Sequence, residues 1–341
     1  MLHRLVYALV ICSFILVHWG CKKKKVPPPK EYVKTLDSHR GVVGSLAFSP
    51  DGKLLASAAR RIGRKSGRSI ILWNWPKATQ ARRIDAHNDS VLTLAFSPDG
   101  KYLASGDSAK TVMVHNTSNG KLVTSFRAPG RVMRVAYSPD QKTLAVADYS
   151  DHIQLWTSNG TKKLWSKKDR AAFFSMVFSS DGKYLYTGGN SRFVTQWETH
   201  TGKIVQRFKE PHYAEIGELS ITANKTHILG CSSDKTYKLW SLNDGKLIHS
   251  ITTQNAVLTC DTHPYKAHVI VGSGRYDTIK LYNIQTGKLI KDIKWSGTYY
   301  SVRFSPDGKY IVAGNKWGEI VIFKTPTLGK QLTQKRQAIQ P

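Results

Sequence analysis

The residues best equipped for chemistry in this chain are cations. Between Arg60 and Ser69 the sequence reads RRIGRKSGRS, which gathers Arg60, Arg61, Arg64, Lys65 and Arg68 without an acid. Guanidinium and ammonium groups at that density raise the local concentration of anions and bind them through charge-assisted hydrogen bonds. The whole chain shares the bias, with 51 Lys and Arg against 23 Asp and Glu, a formal charge of +28. Other chemistry is hard to find. There is no Gly-rich phosphate loop, no nucleophile motif and no pair of carboxylates aimed at one place, so no catalytic residue, no enzyme activity and no cofactor is expected. No His or Cys pair has ligand spacing, so no metal site is expected either.

A second reactive position is Cys21, in the stretch VHWGCKKKKVPPPK. Upstream, Leu5 to Trp19 is an apolar run broken only by Ser13 and His18. As a helix it would reach roughly 22 Å, short of the roughly 30 Å hydrocarbon core of a bilayer, so residues 1–20 read as a secretory signal rather than a membrane span. Gly20-Cys21 resembles the cleavage site of a bacterial lipoprotein, with His18 and Trp19 where that family usually has an aliphatic and a small residue. The resemblance implies a lipid on Cys21. Residues 21–30 then form a tether in which Lys22 to Lys25 meet anionic headgroups, each contributing on the order of 1 kcal/mol, and Pro27 to Pro29 act as a stiff spacer. Two other readings stay open. One is an uncleaved anchor that keeps the body in the cytoplasm, favoured by four lysines after the run against one arginine before it. The other is ordinary secretion, which would make Asn88, Asn116, Asn159 and Asn224 glycan acceptors in a eukaryote.

The elements that must position the cations repeat. FSPDG occurs at Phe48, Phe96 and Phe304, YSPDQ at Tyr137 and FSSDG at Phe178, with degenerate copies ITANK from Ile221 and THPYK from Thr262. A second marker runs through Trp73, His115, Trp156, Trp197, Trp240, Tyr282 and Phe323, at spacings of 42, 41, 41, 43, 42 and 41 residues. Each unit holds four short runs rich in β-branched and aromatic residues, separated by turn signals, as in VLTLAF, KYLASG, TVMVHN and KLVTSF of the second unit. Four strands per unit, seven times, predict antiparallel blades.

On these motifs the chain resembles the WD-repeat β-propellers over residues 31–331, leaving 332–341 as a polar tail. The resemblance implies an all-β, seven-bladed ring of four-stranded antiparallel blades. His39, His87 and His212 match the family's His before the first strand, and Trp73, Trp156, Trp197 and Trp240 its Trp, here never followed by Asp. Only the fifth unit also retains the turn acid, Asp234, so blades held mainly by packing are expected. EYVKTL, residues 31–36, matches the fourth-strand pattern and is expected to complete blade seven, closing an edge that would otherwise be open. Cys231 should lie late in the second strand of blade five and Cys260 midway along the first strand of blade six, a placement that favours two buried free thiols over a disulfide.

By the family's strand order, the blade-one insertion shares one face of the ring, called top here, with the loops carrying Lys110, Arg192, Lys235, Arg275 and Lys316. Loops entering the blades add Arg127, Arg131, Lys168 and Arg170. This face is the candidate surface for an anionic partner, against the bland alternative of a solvated surface on which Asp89, Asp107, Asp148 and Asp151 also fall. The expected function is a non-catalytic interaction scaffold: a monomeric ring, membrane-tethered at the cell envelope, binding an envelope-associated protein. Binding of acidic polysaccharide, lipopolysaccharide or host molecules is the alternative, and nucleic acid is disfavoured for an exported chain.

Overall fold

The computed structural model describes residues 27–60, 67–85, 87–273, 278–295 and 297–326. The proposed signal, Cys21, most of the tether and the C-terminal tail therefore lie outside the described residues, as do Arg61, Arg64, Lys65 and Arg275. Among the described residues, twenty-eight strands, β1 to β28 in chain order, form seven four-stranded antiparallel sheets, with no helix. Blade one is β2 (Val42–Phe48), β3 (Leu54–Arg60), β4 (Ile70–Asn74) and β5 (Thr79–Ile84), numbered from the axis outward. The other innermost strands are β6 (Val91–Phe96), β10 (Val132–Tyr137), β14 (Phe173–Phe178), β18 (Ile216–Ile221), β22 (Val257–Thr262) and β26 (Tyr299–Phe304).

The repeated turn explains the repeated strand pair. In blade one the Ser49 hydroxyl donates to Asp51 at 2.7 Å and accepts the Leu54 amide at 2.9 Å, while the Lys53 amide donates to Asp51 at 3.0 Å. Gly52 takes a φ of +66°, which a residue without Cβ adopts without strain. The same Ser and Asp bonds recur at Ser97, Ser138, Ser179 and Ser305. In blade three Gln141 occupies the glycine position at +65°.

Between blades, apolar faces pack directly. Ala56, Ala58, Ile70 and Leu72 of blade one meet Val91, Leu94 and Phe96 of blade two, and comparable clusters occupy the other interfaces. The inward edge of each sheet leaves backbone amides to be satisfied, and side chains of the neighbouring blade supply acceptors. Thr93 accepts from the Val135 amide at 3.2 Å, Ser175 from Leu219 at 2.7 Å and Thr259 from Val302 at 3.2 Å.

The ring closes as the sequence predicts. β1 (Tyr32–Asp37) pairs antiparallel with β28 (Glu319–Lys324) and becomes the outer strand of the sheet headed by β26. Its entry is fixed by a 3.0 Å ion pair between buried Glu31 and Lys291, and by stacking of Tyr32 on Trp295. In every blade the pairing of the outermost strand slips by one residue, and the skipped residue is apolar: Val33, Ala81, Val123, Leu164, Val205, Ile248 and Ile290. A bulge leaves most of these side chains facing outward, as at Val205, which is 51% exposed, whereas Ile290 packs against the adjoining core cluster.

Two expectations are overturned. Cys231 and Cys260 are joined by a disulfide, with Cα atoms 6.4 Å apart. The second strand of blade five faces the first strand of blade six across the interface, which brings the two positions within bridging reach. The polar network is also wider than blade five. In blade two, buried His87 lies 2.9 Å from Asp107 through Nδ1 and 2.7 Å from Ser105 through Nε2. In blade one, Ser57 links His39 at 2.9 Å to the Trp73 indole N–H, also at 2.9 Å.

Candidate functional site

The strand order puts two sets of loops on the top face: those joining second to third strands, and those entering the innermost strands. Lys110, Arg192 and Lys235 occupy the first set, all exposed and all with positive φ, at 70°, 68° and 69°. Such a φ in a tight turn pushes the side chain clear of the ladder and into solvent. Lys316 is half-buried, with its Nζ 4.9 Å from the Trp317 ring. Arg127, Arg131, Lys168 and Arg170 are exposed near the entering loops, and Arg127 donates to the Ala109 carbonyl at 3.1 Å. Arg68 is exposed too.

The geometry brings three of these features together. Tyr213, in the loop entering blade five, is 84% exposed. Its amide donates to Asp234 at 2.8 Å, directly beside Lys235, and the preceding His212 amide donates to the Arg192 carbonyl at 3.0 Å. Lys238 Nζ lies 5.5 Å from the Tyr213 ring. Asp234 is bound by His212 Nδ1 at 2.9 Å and by Thr236. Burial opposes ionisation of Asp234, but these hydrogen bonds outweigh it and hold its carboxyl far below the usual carboxylate range. The ionised Asp234 and the buried His212–Trp240 contact thus anchor the loop that presents the exposed Tyr213, and backbone bonds tie that loop to the turns bearing Arg192 and Lys235. No sequence signal marks Tyr213, because its setting depends on two loops that meet only in the folded ring.

The opposite face is basic as well. Lys53, Lys101, Lys142, Lys183, Lys225, Lys266 and Lys309 place an exposed lysine in each turn between first and second strands. Five of the acids there, Asp51, Asp99, Asp140, Asp244 and Asp307, pair with lysines at 3.3 to 4.0 Å. Exposed pairs of this kind contribute little to stability.

Arg60 does not join the surface cluster. Its side chain crosses the innermost strand at Gly44, with Nε 2.6 Å from where a Cβ would stand, so a larger residue at position 44 would displace it. It thereby enters the central channel, where four charged residues unmarked by any motif converge. Glu218 lies 3.2 Å from Arg134 and 3.0 Å from Arg303, bridging blades three, five and seven. Burial penalises the Glu218 carboxylate, yet the two guanidinium groups hold it below its ordinary range. Asp261 accepts from the Phe304 amide at 2.9 Å and the Thr262 amide at 3.0 Å, and burial pushes its carboxyl up. A cavity of about 440 Å³ opens among Ser45, Thr93, Arg134, Glu218, Asp261 and Arg303. Among the described residues no group of three or more His, Cys, Asp or Glu is placed to hold a metal ion, and no helix is long and apolar enough to cross a membrane.

Seven closed blades with their turn motifs and His-centred bonds define a WD-repeat β-propeller, a fold whose members typically serve as protein-interaction scaffolds. A family model described as IFT122 first beta-propeller matches residues 29–274, and one described as WD domain, G-beta repeat matches residues 287–324. The chain belongs to the family of the first model, within the WD-repeat propellers. Among curated proteins it is similar to eukaryotic translation initiation factor 3 subunit I of Bombyx mori, 26% identical over 140 residues, covering 37% of this chain and 42% of that protein. It is similar to the WD repeat-containing protein 89 homolog of Dictyostelium discoideum, 33% identical over 100 residues, covering 29% and 27%. It also matches echinoderm microtubule-associated protein-like 3 of Mus musculus, 28% identical over 134 residues, covering 38% and 15%. The chain thus spans less than half the length of each of these relatives. The solved structure of U3-55K superposes with a TM-score of 0.77 at 19% identity, over 87% of this chain and 100% of that one, a likeness of fold.

Proposed function

We propose that this propeller is a non-catalytic, exported interaction scaffold, tethered to the cell envelope by a lipid on Cys21, that grips an acidic protein segment with its top face. The observation that carries the reading is the exposed Tyr213, on a loop bonded to the turns that carry Arg192 and Lys235. Tyr and Arg are the residue types that dominate protein interfaces, and flanking cations steer an acidic partner and fix its register. The Cys231–Cys260 disulfide supports an oxidising compartment, periplasmic or surface-facing, over an anchored cytoplasmic one. The direction of β1 supports the tether. Its end lies at the top face, where Ser38 and His39 donate to the Gly318 carbonyl, so residues 27–31 leave from the opposite face. A lipid at residue 21 would then hold the lysine-studded face toward headgroups and turn Tyr213 outward.

Two relatives bear the names of an initiation-factor subunit and a microtubule-associated protein, in keeping with work inside assemblies rather than catalysis. The test compares intact mass and membrane fractionation of the native protein with a Cys21→Ala variant. The reading expects a chain beginning at residue 21 with an acyl mass increment, and loss of the membrane fraction in the variant. Retention of residues 1–20, or release without lipid, would refute the tether.

A further inference from the structure

We propose that the centre of the ring is a binding site for a small oxyanion, a phosphate or carboxylate compound, held by Arg60 together with Arg134 and Arg303. The inference starts from a charge without a partner. Arg60 lies against Gly44, next to Ser45 of the cavity wall, and its Nε is buried with no hydrogen-bond acceptor. Burial, and then the like charge of Arg134, disfavour its charged form, and the opposing influence of Tyr300 and Glu218 does not fully offset them.

The carboxylates nearby are already engaged. Glu218 is shared by Arg134 and Arg303, and a hydroxyl of Thr259 also donates to it at 3.3 Å. Asp261 is held by two backbone amides, with the Ser220 hydroxyl at 3.3 Å, and its raised affinity for a proton lowers its worth as a counter-ion to Arg303. Three guanidinium groups thus face two carboxylates, both already engaged. Buried charges are stable when paired, so the deficit is an acceptor that the chain itself does not provide. Guanidinium forks match the oxygens of phosphate and carboxylate in geometry as well as charge.

Size narrows the class. The 440 Å³ cavity falls within the range of small-molecule sites and exceeds what a single inorganic ion fills. The chemistry therefore fits a phosphomonoester or a polycarboxylate. Hydroxyl groups are at hand in Ser45 and Thr93, which line the same cavity.

The experiment titrates the full-length protein with inorganic phosphate and with citrate, by calorimetry and thermal melting, against chloride at equal ionic strength. The expected result is saturable one-to-one binding by at least one probe, and a melting rise of several degrees at about a hundredfold excess over Kd. Arg60→Met should weaken that binding by roughly tenfold to a hundredfold. The same variant should melt no lower than the native protein without ligand, because it removes an unpaired buried charge. Arg60→Lys should retain part of the affinity, and Lys203→Glu at an exposed turn far from the channel should leave it unchanged. Three outcomes would overturn the proposal: phosphate and citrate acting no differently from chloride, unaltered binding in Arg60→Met, or loss of binding in Lys203→Glu, which would place the anion on the surface.

Discussion

Breaking the Cys231–Cys260 bridge should cost a large share of the stability of the ring. The bonded residues are 29 apart in sequence, and the chain-entropy relation for a loop of that size gives about 3.5 kcal/mol at 25 °C. The closed loop includes the third and fourth strands of blade five and the entry to blade six, so its freedom in the unfolded chain is what the bridge removes. Both cysteines are buried in the cluster with Leu229, Leu239 and Val269, so reduction exposes no new surface in the native state. Urea unfolding with and without a phosphine reductant should therefore show a lower midpoint on reduction, and thermal melting a drop of roughly 5–10 °C. A Cys231→Ala, Cys260→Val double variant should be indifferent to reductant. Proteolysis without reductant should recover the two cysteines in one linked peptide pair. Recovery of both as free thiols, or a midpoint that reductant does not move, would refute the bridge and remove the support it gives to export.

The channel triad makes its own prediction. Glu218→Gln leaves Arg134 and Arg303 buried without their shared carboxylate and should cost about 3–5 kcal/mol by denaturant unfolding, whereas exposed Asp244→Asn should leave the unfolding midpoint nearly unmoved. Acid sensitivity should appear in a defined window. Burial, and then the charge of His87, lower the imidazole of His115 from 6.5 to about 4, so its contribution is intact above pH 6.5 and is lost as pH falls toward 4. His115→Phe should flatten melting temperature against pH in that window, by an amount on the order of 1–3 kcal/mol. Gln141→Gly should stabilise the chain by about 0.5–1 kcal/mol, since Gln141 is held at a φ of +65° where the sister turns have glycine.

How much was legible in the sequence follows from what each signal depends on. The Ser-Pro-Asp-Gly turns and the aromatic marker are local, and they sufficed for blade count, strand order and the closing strand at Tyr32–Asp37. The disulfide was misjudged because distance along two strands says nothing of how neighbouring sheets face each other. The channel was invisible for a related reason. Arg134 and Arg303 lie 84 and 85 residues from Glu218 in sequence, and the three meet only across the closed ring. Arg60 read as one of five loop cations, yet the missing Cβ of Gly44 lets its arm turn inward. The wider His and Asp network escaped because Asp107 and Ser57 stand in for residues that a motif search demands at other positions.

The most direct test of the interaction account uses two exposed tyrosines on opposite faces, Tyr213 at 84% exposure and Tyr265 at 73%. A photo-crosslinking amino acid is placed at each position in turn, and the full-length protein is irradiated in its native cells. The account predicts a discrete protein adduct from position 213 that disappears when Arg192→Glu and Lys235→Glu are added, and none of comparable yield from position 265. Adducts confined to position 265, or an adduct at 213 that ignores the two charge reversals, would contradict it.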